Sequence, residues 1–233
     1  MEVEIQIQIE PRDAIFIGGG SGKSGIGVDA ATVRRPDDCL IIPGSTFKGR
    51  VRNECERIAR TFGEDVCLSP LPENMCPHYY LKDRNEIYYC VICRMFGSPW
   101  LRSSLRFSDL VWQMPDQFTY DEWKRIGKTE VRPGVSLSRR TRAKKERELF
   151  FIEVMQTGID ACFEGGITGS LDSKKDLALL VAGLKAIFAL GGMKSRGLGW
   201  INTLKSAEGY SITNPEFSDS DFQEELGKWQ ESG

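Results

Sequence analysis

The sequence predicts a mixed α+β fold in the order β-α-β-β-α-β, on three observations. Val3, Ile5, Ile7 and Ile9 alternate with polar residues, the period of a half-buried strand. Phe47, Val51, Cys55, Ile58, Ala59 and Phe62 recur at three- and four-residue spacing, as do Leu177, Leu180, Val181, Leu184 and Phe188, which gives two amphipathic helices. Runs of β-formers lie around them, at Leu105 and Phe107, from Leu149 to Gln156, from Ile159 to Ile167, and in a last strand opening at Trp200, Asn202 and Leu204.

Taken in chain order, the first strand leads into a glycine-rich, aperiodic stretch from Gly18 to Pro36, longer than a simple connection needs. Ser45 stands where a cap for the first helix is expected. Residues 63–99 read as an irregular insertion held by cysteines, and residues 112–130 as an aromatic, charged projecting arm followed by a basic stretch. Asp172 or Ser173 caps the second helix, and Gly191 ends it in the left-handed conformation. Residues 207–233 form an acidic tail in which Phe222, Leu226 and Trp229 mark a short docked helix. The element order is that of the ferredoxin-like or RNA-recognition-motif pattern, in a single domain over residues 1–233.

Composition narrows the function. With 233 residues, 40% of them hydrophobic, the chain can bury a real core. No apolar run is long enough to span a membrane, and Met1-Glu2-Val3-Glu4-Ile5 lacks the pattern of a signal peptide, so a cytoplasmic location is expected. The net charge of −2 hides an asymmetry. Residues 208–233 hold seven acids and one base, which leaves 30 basic and 26 acidic residues, or +4, on residues 1–207. Histidine occurs once, at His78, which leaves little room for histidine acid–base chemistry.

Two cationic turns carry the strongest signal. Ile42-Pro43-Gly44-Ser45-Thr46-Phe47-Lys48-Gly49-Arg50-Val51-Arg52 brings a tight turn, a helix N-terminus and three cations together, a site for a phosphate. Gly191-Gly192-Met193-Lys194-Ser195-Arg196-Gly197-Leu198-Gly199 is a second such place. Together they suit a protein that follows a phosphate backbone. Gly18 to Ser24 imitates a P-loop, but the position of its first glycine is Ile17 and poor helix formers follow, so a surface loop is the better reading.

Cys67, Cys76, Cys90 and Cys93 form a metal-ligand pattern, since the two-residue gap between Cys90 and Cys93 lets both thiolates face one ion. A structural zinc is the favoured reading; four unconnected thiols is the alternative, and His78 can replace one cysteine. Asp29, in the glycine-rich stretch, is either a solvated turn residue or a carboxylate that recruits a divalent ion or orients a ribose 2′-hydroxyl. The run from Arg139 and Arg140 to Arg147 is either a solvated face or part of a groove along RNA.

These motifs, in this order, resemble the RAMP superfamily, and specifically the repeated backbone subunit of type III CRISPR effector complexes. The resembling segments are Ile26-Gly27-Val28-Asp29, Ile42 to Arg50, Phe96-Gly97-Ser98-Pro99, Leu105 to Asp109, Val131-Arg132-Pro133-Gly134-Val135, Arg139-Arg140-Thr141, Glu153-Val154 and Gly191 to Gly199. The resemblance implies a palm of RNA-recognition-motif type with a finger insertion and a thumb-like β-hairpin, the arm then covering residues 110–148. It implies binding to a guide (CRISPR) RNA and a complementary target RNA, stacking with other copies or paralogous backbone subunits, and assembly with further effector subunits. It implies metal-dependent endoribonuclease activity, with Asp29 in the place of the cleaving aspartate and magnesium or manganese as the divalent cofactor. Ser45, Lys48, Arg50, Arg52, Arg132, Arg139, Arg140, Lys194, Ser195 and Arg196 match RNA-binding positions. The cysteine insertion points to the type III-D-like branch. A non-cleaving structural subunit and a guide-processing endonuclease are the competing functions.

Overall fold

In a computed structural model of the chain, described over residues 1–19, 28–84, 87–114, 118–119, 122, 128–137, 144–156, 162–202, 210–214 and 217–231, the alternation at the N-terminus becomes strand β1 (Glu2–Ile9). Its four inward residues, Val3, Ile5, Ile7 and Ile9, are buried and the residues between them face solvent. Strands β2 (Ile41–Ile42), β3 (Leu105–Phe107), β4 (Leu110–Gln113), β7 (Cys162–Ser170) and β8 (Tyr210–Asn214) complete an antiparallel sheet in the order β2-β4-β7-β1-β8, with β3 also on β7. Counting β3 and β4 together as the second strand of the pattern, this is the 4-1-3-2 arrangement that the order β-α-β-β-α-β produces. Gly169 of β7 has φ +147, and a Cβ there would stand 2.1 Å from the Ser104 carbonyl oxygen, so the residue permits the close approach of the chain entering β3.

Helices α1 (Gly44–Thr61) and α4 (Lys174–Lys185) cover one face of the sheet; α2 (His78–Arg84) and α3 (Val91–Phe96) lie in the cysteine insertion, and α5 (Asp219–Glu231) packs on α4. Phe47, Val51, Cys55 and Ala59 of α1 are fully buried, the stripe its sequence spacing requires. Ser173 caps α4, accepting the Asp176 amide on its hydroxyl at 3.2 Å. The insertion is no separate unit, because Cys67, Met75, Tyr80, Ile92 and Phe96 belong to the same core as β1 and α1.

Strands β5 (Thr129–Leu137) and β6 (Lys144–Met155) form a two-stranded hairpin of their own. A second small core of Ala14, Ile152, Val154 and Leu198 seats it on the body, with Phe16, Ala30, Phe150 and Met193 around it.

Several sequence expectations change. Ser45 does not cap α1: Pro43 holds the cap position, and the Gly44 amide is met by the Asp109 carboxylate at 2.8 Å. The cap comes from 65 residues away, where local pattern does not reach. Helix α4 ends at Lys185, so Phe188 lies outside it; Gly191 is left-handed (φ +84) but stands beyond the helix end, and a Cβ there would also meet the Phe16 carbonyl oxygen at 2.3 Å. The expected arm loses its start to the main sheet, since Trp112 of β4 is buried and stacked on Phe163. The last strand is Tyr210–Asn214, inside the stretch read as a tail; Trp200 and Ile201 make only isolated bridges. The docked helix at the C-terminus is present, with Phe222 and Trp229 buried.

Candidate nucleic-acid interface and metal centre

The cations of α1 point two ways, because residues two apart lie on opposite sides of a helix. Arg50 is ion-paired to the buried carboxylate of Glu54 at 2.7 Å, and its guanidinium carbon lies 5.3 Å from the centre of the Phe188 ring. The Arg50 Nε–H is buried with no acceptor among the described residues. Lys194, in the one-turn 3₁₀ helix Lys194–Arg196, lies within electrostatic reach: burial lowers its pKa, Arg50 lowers it further, and Glu54 opposes the shift. The two cationic segments adjoin at Phe188, whose ring carries the Arg50 guanidinium and which stands at the foot of the second turn, closed by the Leu190 amide on the Gly199 carbonyl at 2.8 Å.

Met193 and Gly197 flank that 3₁₀ turn in left-handed conformations, and Ser195 and Arg196 are exposed on it. The turn is tied down at both ends, by the Gly192 amide to the Phe16 carbonyl and the Gly199 amide to the Ala14 carbonyl, each at 2.8 Å. Arg196 lies over the Phe150 ring of β6, 5.8 Å from its centre.

Lys48 and Arg52 occupy the other side. Lys48, with Gly44 and Ser45, lines a cavity of about 660 Å³ that Arg102 and Arg106 also line. Burial lowers the Lys48 pKa, and Arg52 adds to the shift. The Ser45 and Thr46 amides fall among the first helical N–H groups, which have no carbonyl one turn back. Arg52 is committed to protein partners: it donates to Glu56 and to the Gly97 carbonyl, each at 2.8 Å, and to the Cys93 sulfur at 3.8 Å.

Asp29 lies beside β6. Its amide donates to the Phe151 carbonyl at 2.9 Å, and its Oδ2 accepts the Phe151 amide at 2.7 Å. The residue is exposed. Glu153 fixes the same segment, accepting the Thr32 amide at 3.1 Å, the Thr129 hydroxyl at 2.8 Å and the Arg34 guanidinium. Burial pushes the Glu153 carboxyl up, but these three partners outweigh it and hold the group below the usual carboxylate range. Arg132 is exposed on β5 and paired with Glu130. Arg139 and Arg140 fall outside the described residues.

The four cysteines come together. The sulfurs of Cys67, Cys76, Cys90 and Cys93 all lie within 4.8 Å of one another and are buried. Cys67 and Cys93 are 3.4 Å apart, and Cys67 and Cys90 are 3.8 Å apart. Four thiolates at ~2.3 Å from one zinc ion form a tetrahedron with edges of about 3.8 Å, so this donor set fits a structural zinc. The Cys90 amide donates to the Cys76 sulfur at 3.4 Å, and Arg52 adds a cation, the outer contacts that support thiolate charge. His78 packs edge-on against Trp100, 4.1 Å between ring centres, and does not join the four sulfurs.

The RAMP superfamily model matches the sequence over residues 9–202, most of its length. The chain belongs to the RAMP superfamily. No curated protein matches its sequence. The matched span of this RAMP protein encloses the Asp29 segment, α1, the cysteine insertion, the hairpin and both cationic turns; β8 and α5 lie beyond it. Among the described residues no helix is long and apolar enough to cross a membrane.

Sequence reasoning missed Arg102 and Arg106 as cations of the Lys48 cavity: Arg102 lies in an aperiodic stretch, and Arg106 reads only as a polar position in the alternation of β3. It also missed Glu54 and Glu56 as partners of Arg50 and Arg52, although the four-residue spacing was there to be read.

Proposed function

We propose that this RAMP protein is a guide-RNA-binding backbone subunit of a type III CRISPR effector complex, of the type III-D-like branch, and that it cuts target RNA at its own position through Asp29. Membership of the superfamily makes it a CRISPR-associated RNA-binding protein. The observation that supports the finer reading is the seating of Arg50 on Phe188 at the foot of the Gly191–Gly199 turn, whose Met193 packs on the same small core as Ala30, the neighbour of Asp29. The hairpin β5–β6 acts as the thumb, Lys48, Arg102 and Arg106 take a further phosphate, and zinc on the four cysteines staples the finger.

Cleavage joins the ribose 2′-oxygen to the adjacent phosphorus and breaks the bond from phosphorus to the 5′-oxygen, leaving a 2′,3′-cyclic phosphate and a 5′-hydroxyl. Asp29 spends Oδ2 on the Phe151 amide, which holds Oδ1 at a fixed place on the exposed surface, where it orients or accepts the 2′-hydroxyl proton. Among the described residues Asp29 belongs to no cluster of three ligating groups. It therefore fits only a hard cation that keeps its waters and takes one carboxylate plus RNA phosphate, such as magnesium or manganese. Such an ion supplies charge neutralisation at the phosphate.

The reciprocal bonding of Asp29 to Phe151 also favours a second reading, a non-cleaving scaffold in which the aspartate only pins its loop. Co-purification of the complex from its native host, with sequencing of bound RNA, tests the first part: a discrete small RNA with a repeat-derived tag is expected, and random RNA fragments would refute it. Asp29→Ala in the assembled complex tests the second. Loss of the cut opposite this subunit, with RNA binding kept, is expected; unchanged cutting assigns the scaffold role.

A further inference from the structure

Phe188 and Trp200 are large aromatic residues that the core does not absorb. They remain 41% and 39% exposed. Their rings lie side by side, 5.4 Å between centres and tilted by 42°. The backbone beneath them is fixed: Ala189 and Trp200 form an antiparallel bridge, the Ile201 amide donates to the Phe188 carbonyl at 3.1 Å, and the Trp200 carbonyl accepts the amides of Arg12 and Asp13 at 2.8 and 3.1 Å. Their side chains are thus held on a rigid ladder and still leave much of their surface in water, where apolar area gains nothing.

The cations beside this pair indicate what covers it. The Arg50 guanidinium, paired with Glu54, lies on the Phe188 ring, and Lys194 stands on the turn that closes directly above the Ala189–Trp200 bridge through the Leu190 amide and the Gly199 carbonyl. An exposed aromatic face next to cations that bind phosphate is the arrangement by which proteins hold single-stranded nucleic acid, with the base on the ring and the backbone on the charges. Stacking accepts every base, because each has a π-face. That tolerance suits a guide strand whose sequence varies from one complex to the next.

We propose that Phe188 and Trp200 form a stacking platform for one nucleobase of the RNA strand whose phosphates rest on Arg50 and Lys194. This assignment rests on the RNA-binding reading above and adds to it a contact with the base.

The test uses the full chain, a labelled single-stranded oligouridine RNA, and an abasic ribose-phosphate oligomer of the same length. Phe188→Leu and Trp200→Leu keep apolar bulk and remove the ring; Phe188→Ala and Trp200→Ala remove both. Each variant is expected to weaken oligouridine binding by roughly 5- to 150-fold, the range of one lost base stack, with the salt dependence unchanged. Binding of the abasic oligomer should not move. Lys194→Ala should weaken both oligomers and flatten the salt dependence. Leucine variants that melt like the wild type and bind oligouridine equally well, while Lys194→Ala binds poorly, would overturn the platform and leave RNA binding standing. Equal losses for both oligomers would overturn it as well, since the rings would then act only through folding. So would loss of self-association or of partner-subunit binding with RNA affinity intact, which assigns the aromatic pair to a protein contact. A wild-type chain that binds neither oligomer would remove the RNA reading and the platform with it.

Discussion

Asp29 and Phe151 bond to each other twice, through the Asp29 amide to the Phe151 carbonyl and through the Phe151 amide to Asp29 Oδ2. A residue in the glycine-rich stretch is thereby fixed in register with β6, one residue from the Phe150 ring that carries Arg196. The carboxylate has a structural duty at one oxygen and chemical freedom at the other.

Asp29→Asn separates the two. The amide oxygen still accepts the Phe151 N–H, so the melting temperature should match wild type, while Asp29→Ala should cost about 1 kcal/mol, or roughly 2–4 °C. Both variants should lose target cutting in the assembled complex. Paired melting and cleavage measurements check this, and an Asn variant that cuts normally removes the charge from the mechanism.

Removing zinc should do more than loosen a surface insertion. The four cysteines share one core with β1 and α1, so an ion held by them would tie the insertion to that core. Losing a structural metal belongs with the largest destabilisations, above about 4 kcal/mol, which lowers the melting temperature of a chain this size by roughly 8–16 °C. Metal analysis should find about one zinc per chain. Strong chelation, or Cys90→Ser, should lower both the zinc content and the melting temperature. A chain without zinc whose four thiols titrate freely in the native state contradicts the assignment.

Glu153 predicts a particular acid sensitivity. Its folded pKa is depressed, so its contribution is present above the unfolded value of about 4.3 and is lost as pH falls through the folded one. Wild type should therefore lose more stability between about pH 5 and pH 3 than Glu153→Gln does. At neutral pH the variant should be less stable by ~1.5–3 kcal/mol, the value of hydrogen bonds to a charged group. Chemical denaturation at several pH values measures both; parallel curves would show that the links to Arg34, Thr32 and Thr129 add nothing.

Lys48 and Arg52 share one side of α1 and should behave differently. Lys48 lines the open cavity, so Lys48→Ala should reduce the salt slope of RNA binding by about 0.7, one phosphate on a single strand, and barely change stability. Arg52 bonds to Glu56, the Gly97 carbonyl and the Cys93 sulfur, so Arg52→Ala should destabilise the fold and leave the slope alone. Salt titrations with melting curves on both variants decide whether the division holds.

The sequence made the periodic parts legible. The alternation of β1, the buried stripe of α1 and the apolar positions of α5 all appear where spacing put them, because each element presents one face to the core. The cysteine set was legible for a different reason, since a two-residue gap between thiolates has few other uses. Long-range pairing was not legible. Asp109 caps a helix 65 residues away, and Phe188 leaves its helix and meets Trp200 across a two-residue ladder. Strand β8 was hidden because only five residues, Tyr210–Asn214, pair with β1 inside an acidic stretch. Both cationic turns were found from glycine and charge, but not that Arg50 sits on Phe188 at the foot of the second turn, since that depends on how α1 is rotated on the sheet.

Helix α4 meets α1 closely at Gly183. A Cβ on this residue of α4 would lie 2.4 Å from the Cys55 sulfur and 3.5 Å from the Val51 carbonyl oxygen, so the two helices pack backbone to side chain at this point. Intrinsic propensity favours alanine over glycine inside a helix by about 1 kcal/mol. Here the steric term should win, because Cys55 is fully buried and its thiol donates to the Leu179 carbonyl at 3.5 Å, a contact that it must give up to make room. Gly183→Ala should therefore be less stable than wild type by about 1–3 kcal/mol, or roughly 2–12 °C in melting temperature. Cys55→Ala removes the sulfur that the new methyl would strike. The double variant Gly183→Ala with Cys55→Ala should then be more stable than the sum of the two single changes predicts. Since α1 carries both Arg50 and Lys48, the Gly183→Ala variant should also bind RNA more weakly, and Cys55→Ala should restore that binding along with stability. Strictly additive stabilities would mean that the helices can separate without strain, and that the seating of Arg50 on Phe188 is set elsewhere.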